Sequence, residues 1–416
     1  MTAIVASQAG KTRRFYEKRE RILDAATVLI NQYGVKGMTF VDVARLVDLN
    51  TTSITYYFKK KELLAAEVLS NSLERLSAIV DNAREAPTPN ERVAKLLRSS
   101  IELHARIRLN EERPVAILSD IRALDDPFRT ELNRRYLSIF NELREFFGPV
   151  RGEEDAALRT ARTHVLVENV FWLQAWLRRY SLGDYERVGR RLFEVFDKGI
   201  AKDGAPWAPA TLEMPDDDSR TEIDGMPGNF MRAATCLINK LGYRGASVER
   251  IASENSVTKG SFYHHLKTKD DLVIECFRWS YGRVSRVQRA AINSNGDYWT
   301  VLATAIATLL DIQFYSDFPL LRTTALQVLP TELRTDILER SNRMARRFAG
   351  AMIDGITEGS VRAIDPLIAS QAVMAGLNGA YELRKWASAH APKRAIELYG
   401  STLAYGLFRD GIVKHS

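Results

Sequence analysis

Apolar residues recur at spacings of three and four along most of this chain. Ile22, Ala25, Ala26, Leu29, Ile30 and Tyr33 form one such stripe, and Phe230, Ala233, Ala234, Leu237, Ile238 and Leu241 form another. That period is the mark of an amphipathic helix with one face turned to a core. Both stripes run into a glycine, Gly34 and Gly242, where a helix can close in the left-handed conformation. The same period predicts helices over 90–108, 127–147, 155–180 and 185–201, and again over 298–315, 331–358, 366–388 and 392–409. No stretch alternates long enough to make a useful strand, so the expected fold class is all-α.

The two stripes belong to a repeat. Shifting the sequence by 208 residues aligns 22–64 with 230–272 without a gap, and 13 of the 43 columns are identical. Ordinary composition would match about two or three. The chain therefore reads as a tandem duplication, copy one followed by copy two. Between them, 202–228 holds Pro206, Pro209, Pro215 and Pro227 and seven acidic residues against Lys202 and Arg220. It reads as a flexible linker spanning roughly 26 to 31 Å. The expected domains are a small head over 1–65, a helical body over 66–201, the linker, a second head over 229–273 and a second body over 274–416.

Past each glycine the pattern changes to two short helices around a tight turn. In copy one, Val43, Ala44 and Val47 lead over Asp48, Leu49 and Asn50 into Thr51 to Phe58; in copy two, Ile251 and Ala252 lead over Asn255, Ser256 and Val257 into Lys259 to Leu266. Ala44 and Ala252 are small where two helices cross, Leu49 and Val257 plug the turn, and Asn50 and Thr258 suit the N-cap of the next helix. This is a helix-turn-helix, whose second helix enters a DNA major groove.

In these residues the chain resembles the tetracycline-repressor (TetR) family, whose reading helix commonly runs Gly-Val-Ser-Lys-Gly-Thr-Leu-Tyr-x-His-Phe and then Ser-Lys-Glu. Copy two follows that pattern closely from Val257 to Asp270, whereas copy one keeps the frame and departs in the reading helix itself. The resemblance implies two TetR-like units in one chain, each a three-helix reading head and a helical ligand-binding and dimerisation body, together forming an intramolecular pseudo-dimer. It places Lys259, Ser261, Tyr263 and His264 at base edges and phosphates and Lys269 on a phosphate. The matching positions in copy one are Thr51, Ser53, Thr55, Tyr56 and Lys61. Thr55 stands where the family has Tyr, which leaves Tyr56 to supply a neighbouring contact.

The implied partners are a double-stranded DNA operator and a largely apolar small-molecule effector, with release of a repressor as the mechanism. Segments 126–136 and 330–340 look faintly like those of members that sense acyl-coenzyme A thioesters. His104, Arg106, Glu168 and Trp172 in copy one, and Gln313, Tyr315 and Tyr381 in copy two, are the candidate effector contacts. Aromatic residues on the last two helices of each copy suit a four-helix pairing bundle, and Phe196 to Ile200 echoes Phe408 to Ile412, each with Gly before Ile. An alternative is a ligand-binding or protein-interaction module in which only the second head binds DNA.

Charge agrees with a polyanionic partner. There are 59 Lys and Arg against 52 Asp and Glu, a net +7, and the acidic linker leaves a larger positive excess on the remainder. A basic run, Lys11, Arg13, Arg14, Lys18, Arg19 and Arg21, precedes the first helix and suits a phosphate strand or minor groove. The basic run follows the first apolar residues, the reverse of a secretory signal, and no apolar stretch approaches the ~20 residues of a membrane span. The expected location is the cytoplasm of a bacterium, on the nucleoid. Two cysteines, Cys236 and Cys276, give neither a disulfide framework nor a zinc site. No HExxH, P-loop or GxSxG occurs, so no enzyme, metal or cofactor is expected.

Overall fold

The computed structural model describes residues 13–212, 222–223, 226–254, 268–324, 329 and 331–409. Helices dominate. Copy one contributes α1 (Arg13–Gly37), α2 (Phe40–Leu46), α3 (Thr51–Tyr57), α4 (Lys61–Arg84), α5 (Pro89–Arg108), α6 (Phe128–Arg144), α7 (Glu153–Trp176) and α8 (Tyr185–Lys198). Copy two contributes α9 (Gly228–Gly245), α10 (Val248–Glu254), α11 (Lys269–Ile292), α12 (Tyr298–Tyr315), α13 (Thr331–Glu358), α14 (Pro366–Gly379) and α15 (Pro392–Tyr405). The only strands among the described residues are the two-residue antiparallel pair Glu222–Ile223 and Met226–Pro227. The helices predicted within the described residues are present, although the one expected over 366–388 stops at Gly379 and is followed by the short turns Ala380–Leu383 and Arg384–Ala387, and the one expected over 259–266 lies outside the described residues. Gly34 and Gly242 break α1 and α9 with φ of 72° and 74°. Tyr33, placed on the apolar stripe, is instead exposed, because the core side of α1 is already filled by Ile22, Ala26 and Ile30.

Contacts divide the chain into two units. One runs to Ala78 and adds Arg106–Leu137; the other holds Ile79–Ala105 and everything from Ser138 onward. The first unit is the head of copy one with the segment that follows α5. The second contains the bundle of copy one and all of copy two.

Within the second unit, α7 and α8 pack against α14 and α15. Small residues permit the approach. A Cβ on Gly379 would lie 2.3 Å from Glu168 Cγ, and one on Gly199 would lie 2.3 Å from the carbonyl oxygen of Ala404. At this crossing the backbones exchange hydrogen bonds: Ile200 N–H donates to Ala404 O at 2.9 Å, and Leu407 N–H donates to Phe196 O at 2.7 Å. Gly199 and Gly406 end α8 and α15 in the left-handed region, φ 73° and 85°. The residue that mirrors Gly199 is therefore Gly406, and the echo of 196–200 in 408–412 is out of register by five residues; of that second stretch only 408 and 409 lie within the described residues.

The linker's first part departs from a free coil. Trp299 Nε1 donates to Pro206 O at 2.8 Å, Tyr405 OH to Ala205 O at 2.9 Å, and Ala210 N–H to Thr304 Oγ1 at 2.9 Å. The Trp207 ring lies over Gly400 and 6.2 Å from the Trp299 ring. An indole that can cover apolar surface is not left in water, and the residues around it follow as a strap across α12 and α15. The acidic stretch 213–221 lies outside the described residues.

Candidate nucleic-acid interface

The head of copy one is built around the turn between α2 and α3. Thr39 caps α2, its hydroxyl accepting from Asp42 N–H, and Asn50 caps α3, its side-chain oxygen accepting from Ser53 N–H at 2.7 Å. Asp48 takes φ 54°. Leu49 N–H then reaches back to Ala44 O at 2.9 Å, the helix-closing pattern that glycine usually serves and that Asp tolerates through its short polar side chain. Ala44 is buried as the crossing demands, and Val47, Ile54 and Phe58 anchor the two helices from below.

This leaves one face of α3 open. Thr51 and Thr52 are exposed, Ser53 and Thr55 are half-buried, and Tyr56 is 65% exposed. Thr55 Oγ1 donates to Thr52 O at 2.8 Å, so its hydroxyl proton is spent within α3. Phe15, from the first turn of α1, packs on the rings of Tyr56 and Tyr57 with centroids 5.9 and 4.8 Å away. The basic run seen in sequence is thus, from Arg13 on, the start of α1 lying beside the reading helix. Arg19 pairs with Glu67 and covers the Phe58 ring, and Arg21 donates to Val47 O at 3.1 Å, so these two serve the head's own packing. Arg13 is almost wholly exposed beside Glu17.

Lys61 and Lys269 occupy the same repeat column and do the same local work. Lys61 Nζ donates to Lys36 O at 3.2 Å, and Lys269 Nζ donates to Tyr243 O with its ammonium 4.1 Å from the Tyr243 ring centre. Each ammonium satisfies a carbonyl past the glycine kink of the first head helix. Lys259, Ser261, Tyr263 and His264 lie outside the described residues. Of their flanks, Ala252 is buried in α10 as Ala44 is in α2, and Thr268, where copy one has Lys60, caps α11 in a reciprocal capping box with Asp271.

Two pairs of residues that seat the heads escaped sequence reasoning. Asn31 donates to Val115 O at 2.8 Å and accepts from Ile117 N–H at 3.0 Å, while Ser72 accepts from Ala116 N–H at 2.8 Å. In copy two, Asn239 donates to Leu320 O at 3.0 Å and accepts from Arg322 N–H at 3.0 Å, while Ser280 accepts from Leu321 N–H at 2.9 Å. The same two positions thus hold an extended tripeptide in both copies, the asparagine from the first head helix (α1, α9) and the serine from the helix that follows the reading helix (α4, α11). The signal was an identical asparagine inside an apolar stripe. Copy one adds a buried carboxylate, Asp120, accepting from Val35 N–H at 2.8 Å.

The effector candidates scatter. Gln313 is fully engaged, donating to Leu377 O at 3.0 Å and accepting from Leu320 N–H at 3.2 Å, and Tyr315 OH donates to Ala387 O at 3.0 Å. Glu168 and Trp172 lie on the α7 face that meets α14, Trp172 Nε1 donating to Gln371 Oε1 at 3.2 Å. Arg106 pairs with Glu112 at 3.3 Å. Burial, with Arg178 nearby, holds His104 neutral by lowering its pKa to about 4. Tyr381 is half-buried with the Arg384 guanidinium 5.5 Å from its ring centre. Among the described residues, no helix is long and apolar enough to cross a membrane, and no cluster of His, Cys, Asp and Glu is placed to hold a metal.

Comparison with known proteins gives the segments a lineage. The model of bacterial regulatory proteins of the tetR family matches twice, at 22–68 and at 230–276. The chain is 32% identical over 87 residues to the uncharacterized HTH-type transcriptional regulator YhgD of Bacillus subtilis, covering 21% of this chain and 46% of that protein. It is 30% identical over 104 residues to the HTH-type transcriptional regulator RutR of Escherichia coli K12, covering 25% of this chain and 49% of that one. The chain spans about half of the length of these curated relatives. Among solved structures, AibR in complex with isovaleryl coenzyme A and operator DNA aligns with 43% of this chain and 97% of its own, at 18% identity and a TM-score of 0.36.

Proposed function

Since 22–68 and 230–276 both belong to the tetR family of bacterial regulatory proteins, we propose that the chain is a transcriptional repressor that reads an asymmetric operator with two unlike heads. The observation that carries this is the repeat itself: one chain holds two reading heads whose contact positions differ. Copy one offers Thr51, Ser53, Thr55 and Tyr56, with Lys61 at the following helix; copy two offers Lys259, Ser261, Tyr263 and His264, with Lys269. A lysine can bond guanine O6 and N7, whereas a threonine methyl suits the thymine methyl. The contact of α7 and α8 with α14 and α15 takes the place of the interface between two chains. Pairing within one chain is favoured by an effective concentration in the ~mM range.

The operator of an ordinary homodimer mirrors itself about a two-fold axis. Here the half-sites differ, with a guanine preference under copy two alone. Selection from random DNA tests this. A non-palindromic consensus is expected from the natural chain, and replacing Thr51 to Tyr56 with the residues of copy two should shift it toward a palindrome. A palindrome selected by the natural chain would mean that two chains each use the same head.

A small effector, apolar over most of its surface, relieves binding from within the bodies. An acyl-coenzyme A thioester is the class favoured by 126–136 and 330–340. His104, Glu168, Trp172 and Tyr381 are the residues to vary first, because the hydrogen bonds of Gln313 and Tyr315 are spent on backbone.

A further inference from the structure

The tripeptide that seats the second head is also tied to the face where the two copies meet. Arg322 makes both ties. Its backbone N–H donates to Asn239 in α9, and its side chain, 6% exposed, forms an ion pair with Glu382. Glu382 follows α14 in the helical turn Ala380–Leu383, next to Gly379, against which Glu168 of copy one lies. The neighbouring bonds close a continuous network. Arg384 donates to Gln313 O and Ser316 O, both at 3.0 Å, and Gln313 joins Leu377 O to Leu320 N–H. The turn after α14 therefore grips the segment 313–322 at both ends, and that segment holds α9 through Asn239 and α11 through Ser280. The corresponding residue in copy one is Ile117, which has no charge to pair.

We propose that Arg322 is a positioning residue that couples the seat of the second reading head to the contact between the copies, so that a change at that contact alters head two and leaves head one as it was. Coupling of this kind runs through a connected network of hydrogen bonds and packed groups. A seated head also binds DNA without first being ordered. Loosening Arg322 therefore weakens head two only. The inference rests on the two-headed reading above, and the test carries a readout that needs no DNA.

The variants are Arg322→Met, Glu382→Gln, the two together, and the exchanged pair Arg322→Glu with Glu382→Arg, each in the full chain. In footprinting, either single change is expected to weaken protection of the half-site under copy two about fivefold or more, while the other half-site stays within about twofold. The double variant should lose no more than the worse single one, and the exchanged pair should recover part of the loss. By hydrogen exchange without DNA, amides of α9 should open about fivefold faster or more, and those of α1 should not change. Unchanged exchange in α9 overturns the coupling whatever the DNA result. Equal weakening of both half-sites also overturns it, as general loss of stability. Faster exchange in α9 with no second half-site in the natural chain would preserve the coupling and overturn the two-headed reading.

Discussion

His164 illustrates how much one side chain depends on its surroundings. It stands in α7, fully buried, with Nδ1 3.0 Å from Tyr399 OH of α15. Tyr399 spends its proton on Gly376 O at 2.9 Å, so Nδ1 of the histidine must donate and Nε2 carries the lone pair. Burial is the main cause of its low pKa, pushed from 6.5 to about 4, with Glu382 opposing and Arg322 reinforcing the shift. The folded state then binds fewer protons than the unfolded chain between those values, and stability falls as the pH drops through 6.5 toward 4. Going from pH 7 to pH 5 should cost about 2 kcal/mol at this site. Urea midpoints at the two pH values should move closer together in His164→Gln, with His104 keeping its own share of the slope. An unchanged slope would mean that His164 takes up its proton alike in the folded and the unfolded chain.

At the scale of elements, the ends of α8 and α15 are the most exacting feature. Both Gly199 and Gly406 need a left-handed backbone, and both face the main chain of the opposite helix. Gly204 in the strap, φ 81°, has nothing near its missing Cβ, so it separates the two effects. Gly204→Ala should cost about 1 to 2 kcal/mol for backbone strain alone. Gly199→Ala should cost clearly more, because the new carbon would fall 2.3 Å from a carbonyl oxygen. Chemical denaturation of the two variants checks this, and equal losses would show that the helix ends yield without penalty. The helices themselves were legible because their apolar period survives in isolation. The close crossing was not, since a glycine that ends a helix and one that admits a neighbour read alike.

For the whole molecule, the question is what holds the copies together. The strap 202–212 leaves copy one and lies on α12 and α15 of copy two, and α7 and α8 pack on α14 and α15. A protease site inserted within 213–221 should therefore yield halves that remain associated after cleavage, as read by gel filtration at micromolar concentration. Separation of folded halves would show that the linker, and not packing, maintains the pair.

Much of this protein is decided locally. The duplication, the all-helical character, the helix-turn-helix with its Asn50 cap, and the kinks at Gly34 and Gly242 follow from residue spacing within short windows, where periodicity and capping act. The tertiary structure alone decided which polar groups do structural work. Asn31 and Asn239 became clamps, Lys61 and Lys269 reached carbonyls of the first head helix, and Gln313 turned from candidate ligand contact to backbone bridge. It also turned part of a coil into a strap through Trp207. The physical reason is common to all of them: a buried polar group must find a partner, and an exposed ring seeks a surface, but the sequence does not say which distant residue will provide it.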